Sequence, residues 1–549
     1  MAGIKFSKKE FEKHIKLTDE IKEKINLFGT HFEGISENGE DLELDILPNR
    51  PDLFSLQTFI KSFSAFLGKD KEQGLRKYKT NKPEKNFEVK IDKSVKEVRP
   101  YTACAIIKDI KFDDEKIKEI IAIQEKIHIT LGRNRKKIAI GIYPLEKITL
   151  PIKFEARAPK DIKFIPLESD REMNGLQILQ SHKTGREYAH LLEGKEKFPV
   201  FVDAAGEILS MPPIINSHKT GKVSEQTNSV FIECSGFDFN ILKKTLNILA
   251  IMFAEMGGKI YQMELDYEGK KLITPDISPE KMKISTENIN KLIGLNLKEN
   301  EIKEFLEKMG YSYNPKTKIA EIPAWRTDIM HEVDLIEDIA IAYGYNNLIP
   351  EIPSIATAGE ISKTESIKHK ISEMLCNLNM LELSTLHILT KEDAKKFNVI
   401  NPIEVEDSKT EYKILRPNLT ISTLKTLSQN IDSEYPQRVF ELGRVFKINE
   451  KEESGIEEAE HLSIAIASPN AGFTEIKQIL EYILRMSGKS ISVIENTENH
   501  FYIEGRCGKI ILEGQSIGFL GEIRPSLINS LGIKMPIAAL EINIDKLVN

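Results

Sequence analysis

The chain has 549 residues, several times what one hydrophobic core holds, so roughly three to five domains are expected. Hydrophobic residues make up 40% and charged residues 29%, with a single Trp and no biased tract, which excludes a disordered or fibrous protein. The formal charge of −7 leaves any nucleic-acid contact to local basic patches rather than to the global field.

Cys104, Cys234, Cys376 and Cys507 are scattered without a CxxC pair, which argues against a zinc ribbon or a disulfide framework and for a reducing cytoplasm. The segment MAGIKFSKKEFEKHIK lacks the apolar stretch of a signal peptide, and no window reaches ~18 consecutive apolar residues. The expectation is a protein neither secreted nor membrane-spanning.

In chain order, residues 1 to 85 read as a small mixed domain, in which the alternating strand DLELDILP runs into PNRPD and an apolar-periodic helix from Leu53 to Leu67 ends at Gly68. The lysine-rich stretch 76–85 reads as a linker. A second region starts near Phe87, with a helix that carries Ile117, Ile120, Ile121 and Leu131 on one face between Asp113–Asp114 and Gly132. Further on, the strand SVFIEC leads into the mostly apolar helix ILKKTLNILAIMFAEM, which stops at Gly257 and Gly258 and should be buried on most sides. Period two puts Phe231, Glu233 and Ser235 on one face of that strand and Val230, Ile232 and Cys234 on the other. By pattern alone, Glu233 and Ser235 suit a solvent-facing edge as well as a site.

Residues 270 to 350 read as two short helices, a short extended stretch KIAEIPAW and a third, acidic helix, a winged-helix-like plan. After the linker IPEIPSIATAG, a helix from Ser362 places Ile367, Ile371, Met374, Leu375 and Leu378 on one face. The strands RVFELGRVFKI, HLSIAIAS, KIILEGQSIGFLGEI and PIAALEI then surround the helix TEIKQILEYILRMSG, an α+β domain on an antiparallel sheet.

The densest chemical cluster is acidic. Asp334, Glu337 and Asp338 share one helix face, and Asp328 precedes that helix closely enough to fold over its first turn. Four carboxylates this close repel one another unless a cation sits among them, and an all-oxygen set suits Mg²⁺. The same residues also suit simple complementation of the helix dipole, which needs no metal.

The segment PAWRTDIMHEVDLIEDIAIAYGY resembles the metal-binding helical domain of the phenylalanyl-tRNA synthetase beta subunit family. ILPNRPDLFSLQTFIKSFSAFLG is similar to the family's N-terminal signature, IQEKIHITLGRNRKKIAIGIY to its archaeal and eukaryotic branch, and LSMPPIINS, ILRPNLTISTLKTLSQNIDSEYPQRVFELG and GEIRPSLI extend the likeness over almost the whole chain. The resemblance implies an α+β multidomain fold: a mixed domain at 1–85, an α/β editing domain at 86–268, a small winged-helix-like magnesium-binding domain at 269–350, and a catalytically inactive class II synthetase-like domain at 351–549. It implies Mg²⁺ on Asp328, Asp334, Glu337 and Asp338, an (αβ)₂ heterotetramer with the alpha subunit, tRNA(Phe) as RNA partner, and the cytoplasm as location.

It also implies a second activity. A hydrophobic pocket cannot strongly reject an isostere that merely adds a hydroxyl, so tyrosine is charged in error and must be removed. The family's hydrolytic pocket maps onto Phe201, Ser210, Asn216, Glu233 and Ser235, although the branch has Asp and Thr where Glu233 and Ser235 stand, which alters reach. His182, His190 and His218 lack a matched carboxylate in the sequence and read as surface residues, so hydrolysis is expected from a positioned water rather than a Ser-His-Asp arrangement.

The C-terminal GFLGEIRP contains Gly518, Gly521, Glu522 and Arg524 but no GxGxGxxR, and no GxGxxG or P-loop is present, so activation chemistry is expected in another chain. GRNRKK at 132–137 and the lysines at 76–85 are the RNA-contact candidates. Two alternatives stand beside the leading reading: a free-standing deacylase, and a structural RNA-binding subunit with a degenerate pocket.

Overall fold

A computed structural model describes residues 2–70, 74–490, 492–495 and 499–548, and the chain divides into two compact units, Met1–Ile352 and Pro353–Asn549. No helix among the described residues is long and apolar enough to cross a membrane.

The first unit opens with a three-stranded antiparallel sheet in which Asp41–Ile46 lies between Ala2–Ser7 and His31–Ile35. Its alternation buries Leu42, Leu44 and Ile46 under the helix Leu56–Phe66. Phe59 and Phe63 of that helix meet Phe6, Phe11 and Phe28 edge-on or tilted, and Ser55 caps its start.

The stretch expected to be a linker is tied down. The Tyr78 hydroxyl donates to Glu255 Oε1 at 2.6 Å, its ring meets Trp325 edge-on, and Thr80–Asn81 pairs parallel with Lys259–Tyr267. Lysines around a single tyrosine suffice for this, because the backbone pairs while the charged tips stay in water.

The core of the unit is a mixed eleven-stranded sheet. Its main path runs Ile215–Asn216, Ile208–Met211, Phe198–Val202, Ile152–Arg157, Glu88–Ile91, Lys259–Tyr267, Tyr101–Lys108, Val230–Gly236, Ile138–Pro144. On one face Ala103, Ala105, Ile107, Val230, Ile232, Cys234, Ile138, Ile140 and Ile142 join the core under the helices Asp114–Ile129 and Phe239–Glu255. On the other, Cys104, Ile106, Tyr143, Phe154, Phe201 and Phe231 form a separate apolar cluster. The period-two division of Val230–Ser235 is therefore realised, and the apolar helix buries Leu242 and every residue from Thr245 to Phe253.

The face expected for the Asp114–Ile129 helix needs correction: Ile120, Ile123 and Ile127 are buried, whereas Ile121 is 57% exposed. A stripe at i, i+3 and i+7 accommodates only one of two adjacent isoleucines, since neighbours sit about 100° apart.

The unit closes with helices Thr286–Ile293 and Glu299–Lys308, a three-stranded sheet of Glu280–Lys283, Ile319–Ile322 and Ser312–Asn314, and helix Glu332–Tyr343. Gly294 at φ +78° ends the first of these helices in the left-handed conformation that glycine adopts without strain.

The second unit is a seven-stranded sheet in the order Leu381–Leu383, Gln437–Ile448, Ile456–Ala467, Ile537–Asn543, Gln515–Ile523, Tyr502–Leu512, Ser492–Glu495, antiparallel throughout except for its first pair. Lys363–Cys376 and Phe473–Met486 share one apolar core, to which the first contributes Ile371 and Leu375 fully and Ile367 partly, while Leu378 joins from just beyond the helix end and Met374 is not part of it. Thr420–Gln429 belongs to a second core cluster through Ile421, Leu424 and Leu427.

Candidate functional site

Five of the side chains singled out in sequence meet where the large sheet curls on itself. Phe201, Ser210 and Asn216 form a cross-strand row, each directly opposite the next in register. Glu233 stands on the strand Val230–Gly236, opposite Cys104 on one side and Gly141 on the other.

Tyr143 bridges the two ends of the strand path. It belongs to one terminal strand, and its hydroxyl lies 3.2 Å from Glu233 Oε1 and 3.4 Å from Asn216 Oδ1 on the other. A Cβ on Gly141 would overlap both that hydroxyl and the Glu233 carboxyl, so only glycine leaves them room. The ring stacks on Phe231, and behind Phe201 stands Phe154, 4.3 Å away and nearly parallel.

The centre is closed to water. Glu233 is 1% exposed and Ser235 and Phe201 are 0% exposed, which removes the solvent-facing alternative for Glu233 and Ser235. Burial pushes the Glu233 carboxyl up to about 8, against the opposing pull of the Arg99 charge and of bonds from Tyr143 and Ser235. Arg99 is buried too and is drawn down to about 10 by desolvation; its Nε donates to Ser235 Oγ at 3.1 Å and its Nη2 to the Ser235 carbonyl at 2.6 Å. No hydrogen bond of ordinary length reaches two polar atoms here, Glu233 Oε2 and Ser210 Oγ, the latter only near enough to interact with Tyr143. Buried polar atoms without a partner are costly, so they mark a place where a ligand atom or a water would gain a hydrogen bond.

Arg99, Gly141 and Tyr143 were not singled out in sequence. Tyr143 lies two residues after Gly141 at the end of IAIGIY, which puts the two on one face, but nothing local says that this face meets a second strand end.

His190 and His218 are exposed as expected, and His182 is not: its Nε2 lies 3.0 Å from the Leu167 carbonyl in a buried position, because a helix N-cap there packs against the preceding loop. In the GRNRKK segment, Arg133, Asn134 and Arg135 take left-handed φ values, and Arg135 binds the Ile214 carbonyl, Glu125 and the Tyr188 face, so one of the expected RNA cations is structural.

The acidic cluster departs from its expectation. Arg326, 3% exposed, donates through Nε and Nη2 to both oxygens of Asp328 at 2.8 and 2.7 Å and also to Asp338 at 2.8 Å. Asp338 further accepts from the buried Tyr311 hydroxyl. Asp334 accepts from the backbone N–H groups of Met330 and His331, both at 2.7 Å, as a helix cap, and Glu337 is exposed. The cation among these carboxylates is thus a guanidinium. Asp328, Asp334, Glu337 and Asp338 do not fit a magnesium ion held by this chain alone, and among the described residues no group of three or more His, Cys, Asp or Glu side chains is arranged to hold a metal. Arg50 repeats the device, gripping Asp52 through Nε and Nη2 and approaching Asp328 to 4.0 Å, so RPD of the first domain and RTD of the acidic segment are the same Arg-x-Asp clamp used twice.

In the second unit, Glu541 accepts from the Leu419 and Thr420 N–H groups, the Thr420 hydroxyl and His461 Nδ1, which together outweigh burial and hold its carboxyl below the usual range. Thr420, His461 and Glu541 line a cleft of about 370 Å³.

Residues 349–544 match the model of the phenylalanyl tRNA synthetase beta chain CLM domain, and residues 282–345 that of the tRNA synthetase B5 domain. The phenylalanine–tRNA ligase beta subunit of Thermococcus sibiricus is 38% identical over 500 residues, 90% of this chain and 88% of that protein. The one from Archaeoglobus fulgidus is 36% identical over 541 residues, 96% and 95% of the two chains. A crystal structure of an N-terminal fragment of the phenylalanyl-tRNA synthetase beta subunit from Pyrococcus horikoshii superposes with a TM-score of 0.59 at 37% identity, covering 62% of this chain and 99% of the fragment.

Proposed function

The chain belongs to the phenylalanine–tRNA ligase beta-subunit family, and from that premise we propose that it is the subunit that hydrolyses tyrosyl-tRNA(Phe) made in error, at the Glu233 centre. Attachment of phenylalanine is then the work of a cytoplasmic (αβ)₂ assembly whose alpha subunit carries activation. In this reading residues 269–350 are the winged-helix-like module, and residues 351–549 are a silent class II synthetase-like core that packs on the alpha subunit.

One observation supports the hydrolytic role above the others: Glu233 Oε2 and Ser210 Oγ are buried without a hydrogen bond of ordinary length, beside the packed rings of Tyr143, Phe154, Phe201 and Phe231. A site that must tell tyrosine from phenylalanine needs a hydroxyl partner in an apolar pocket, because rejecting a ligand that lacks the hydroxyl relies on leaving such polar groups unpaired. The chemistry is ester hydrolysis. A water oxygen adds to the tyrosyl carbonyl carbon, the bond to the ribose oxygen of the terminal adenosine breaks, and the proton of the water ends on that oxygen. The role of this chain's residues is to hold the phenol and so place the carbonyl beside the water.

Deacylation of tyrosyl-tRNA(Phe) by the assembled enzyme tests the reading. Glu233→Ala should slow it roughly a hundredfold while phenylalanylation continues; an undiminished rate would sink it. A scaffold subunit without editing is the second reading, favoured by the closure of the centre, and it expects no tyrosyl-tRNA hydrolysis by the unaltered enzyme.

A further inference from the structure

The closure has a specific agent. Tyr143 is directly opposite Phe231 in register, yet its hydroxyl reaches along the strand, across Gly141, to the carboxyl of Glu233. A phenol therefore already rests on the carboxyl group that the proposed function assigns to recognising a phenol. It meets Asn216 Oδ1 as well, and its ring lies stacked against Phe231 as a ligand ring would. The fit is incomplete, since no hydrogen bond of ordinary length reaches Glu233 Oε2 or Ser210 Oγ in the same closed space, although Ser210 stands near enough to the Tyr143 hydroxyl to interact with it.

We propose that Tyr143 is the internal occupant of the phenol-recognising site that the proposed function places at Glu233, Asn216 and Ser210, and that it leaves when a ligand phenol enters. The identity of the natural ligand as a tyrosyl group rests on that reading; the occupancy of the centre by Tyr143 does not.

The exchange is balanced. The two contacts of the Tyr143 hydroxyl are given up and the same two are made by the ligand, whose ring also replaces the buried Tyr143 ring against Phe231, so displacement costs the exposure of one side chain on the strand Ile138–Pro144, which pairs on one side only within the sheet path. A site filled by its own chain is open for a fraction of the time, and apparent affinity falls by that fraction. Removing the occupant should restore it. The Gly141 position keeps the exchange possible, because any larger residue there would block the hydroxyl's approach for Tyr143 and ligand alike.

The experiment uses the full-length chain with p-cresol and toluene as probes, followed by calorimetry. Tyr143→Ala leaves an aromatic-sized space and should bind p-cresol about tenfold or more tightly than toluene, and about tenfold or more tightly than the unaltered chain binds p-cresol. Adding Glu233→Ala to it should abolish the preference for the hydroxyl. Equal binding of the two probes by Tyr143→Ala, or p-cresol binding by the unaltered chain as tight as that of the variant, overturns the proposal. Should Tyr143→Ala not fold, Tyr143→Phe keeps the ring and removes the latch: p-cresol should then bind several-fold more tightly than to the unaltered chain, and equal or weaker binding overturns the proposal.

Neither probe contains an ester or RNA. Phenol-selective binding in the variant without tyrosyl-tRNA hydrolysis by the unaltered enzyme would keep this site and discard editing. Hydrolysis without phenol selectivity in the variant would do the reverse.

Discussion

Two centres of the first unit hold buried acids, and they solve the burial in opposite ways. Around Arg326, both oxygens of Asp328 and one of Asp338 touch a guanidinium, and although burial alone would raise it, the Arg326 bonds and charge, helped by Arg50, hold the Asp328 carboxyl below its ordinary range. At Glu233 the nearest cation, Arg99, spends its hydrogen bonds on Ser235, so only its charge acts and desolvation wins, lifting the carboxyl to about 8. An arginine in contact makes a buried acid a structural rivet. An arginine held one residue away leaves the acid neutral near pH 7 and free to exchange partners.

Breaking the rivet should have the largest effect. Arg326→Met strands two buried carboxylates and should cost about 3–5 kcal/mol of unfolding free energy, measured by urea titration. A loss below about 1 kcal/mol would mean that the two centres do not differ in kind.

The Glu233 centre should show itself through pH instead. Its folded carboxyl keeps a proton that the unfolded chain releases above its ordinary range near 4.5, so its contribution is fully present below that value and is lost as pH rises towards 8. The slope is at most about 1.4 kcal/mol per pH unit for one proton. Glu233→Gln should remove this component from the pH dependence of unfolding, and an unchanged profile would place the raised acid elsewhere.

The smallest expected effect falls on the part of the acidic cluster outside the rivet. Asp334 caps the first turn of the helix Glu332–Tyr343, and Asp334→Ala should cost about 1 kcal/mol by thermal melting. A loss as large as that of Arg326→Met would show Asp334 to be part of the buried network rather than a cap.

These contrasts explain how much was legible in advance. The strand Val230–Gly236 and its two faces follow from alternation, and the apolar helix after it follows from composition, because both are local patterns. That Glu233 is buried, and next to what, was not local. Its partners Arg99 and Tyr143, and Asn216 beyond Tyr143, are brought together by the curl of a sheet whose strand order is far from sequence order. The acidic helix shows the converse. Its carboxylates were visible as a set, yet Arg326, two residues from Asp328, was passed over as their cation, although the spacing repeats that of Arg50 and Asp52. Ile121 was placed inside because a run of apolar residues does not say which edge of a stripe the neighbouring element covers.

By itself, the sequence determined the family, through motifs spread along the whole chain, and the element types, through periodicity and caps that act within a few residues. Only the tertiary structure decided which charges meet. Hydrogen bonds reach about 3 Å, whereas the residues that make them at the Glu233 centre stand 73 to 136 positions apart. So the distinction between a carboxylate locked to Arg326 and one resting on the phenol of Tyr143 exists only once the sheet has closed.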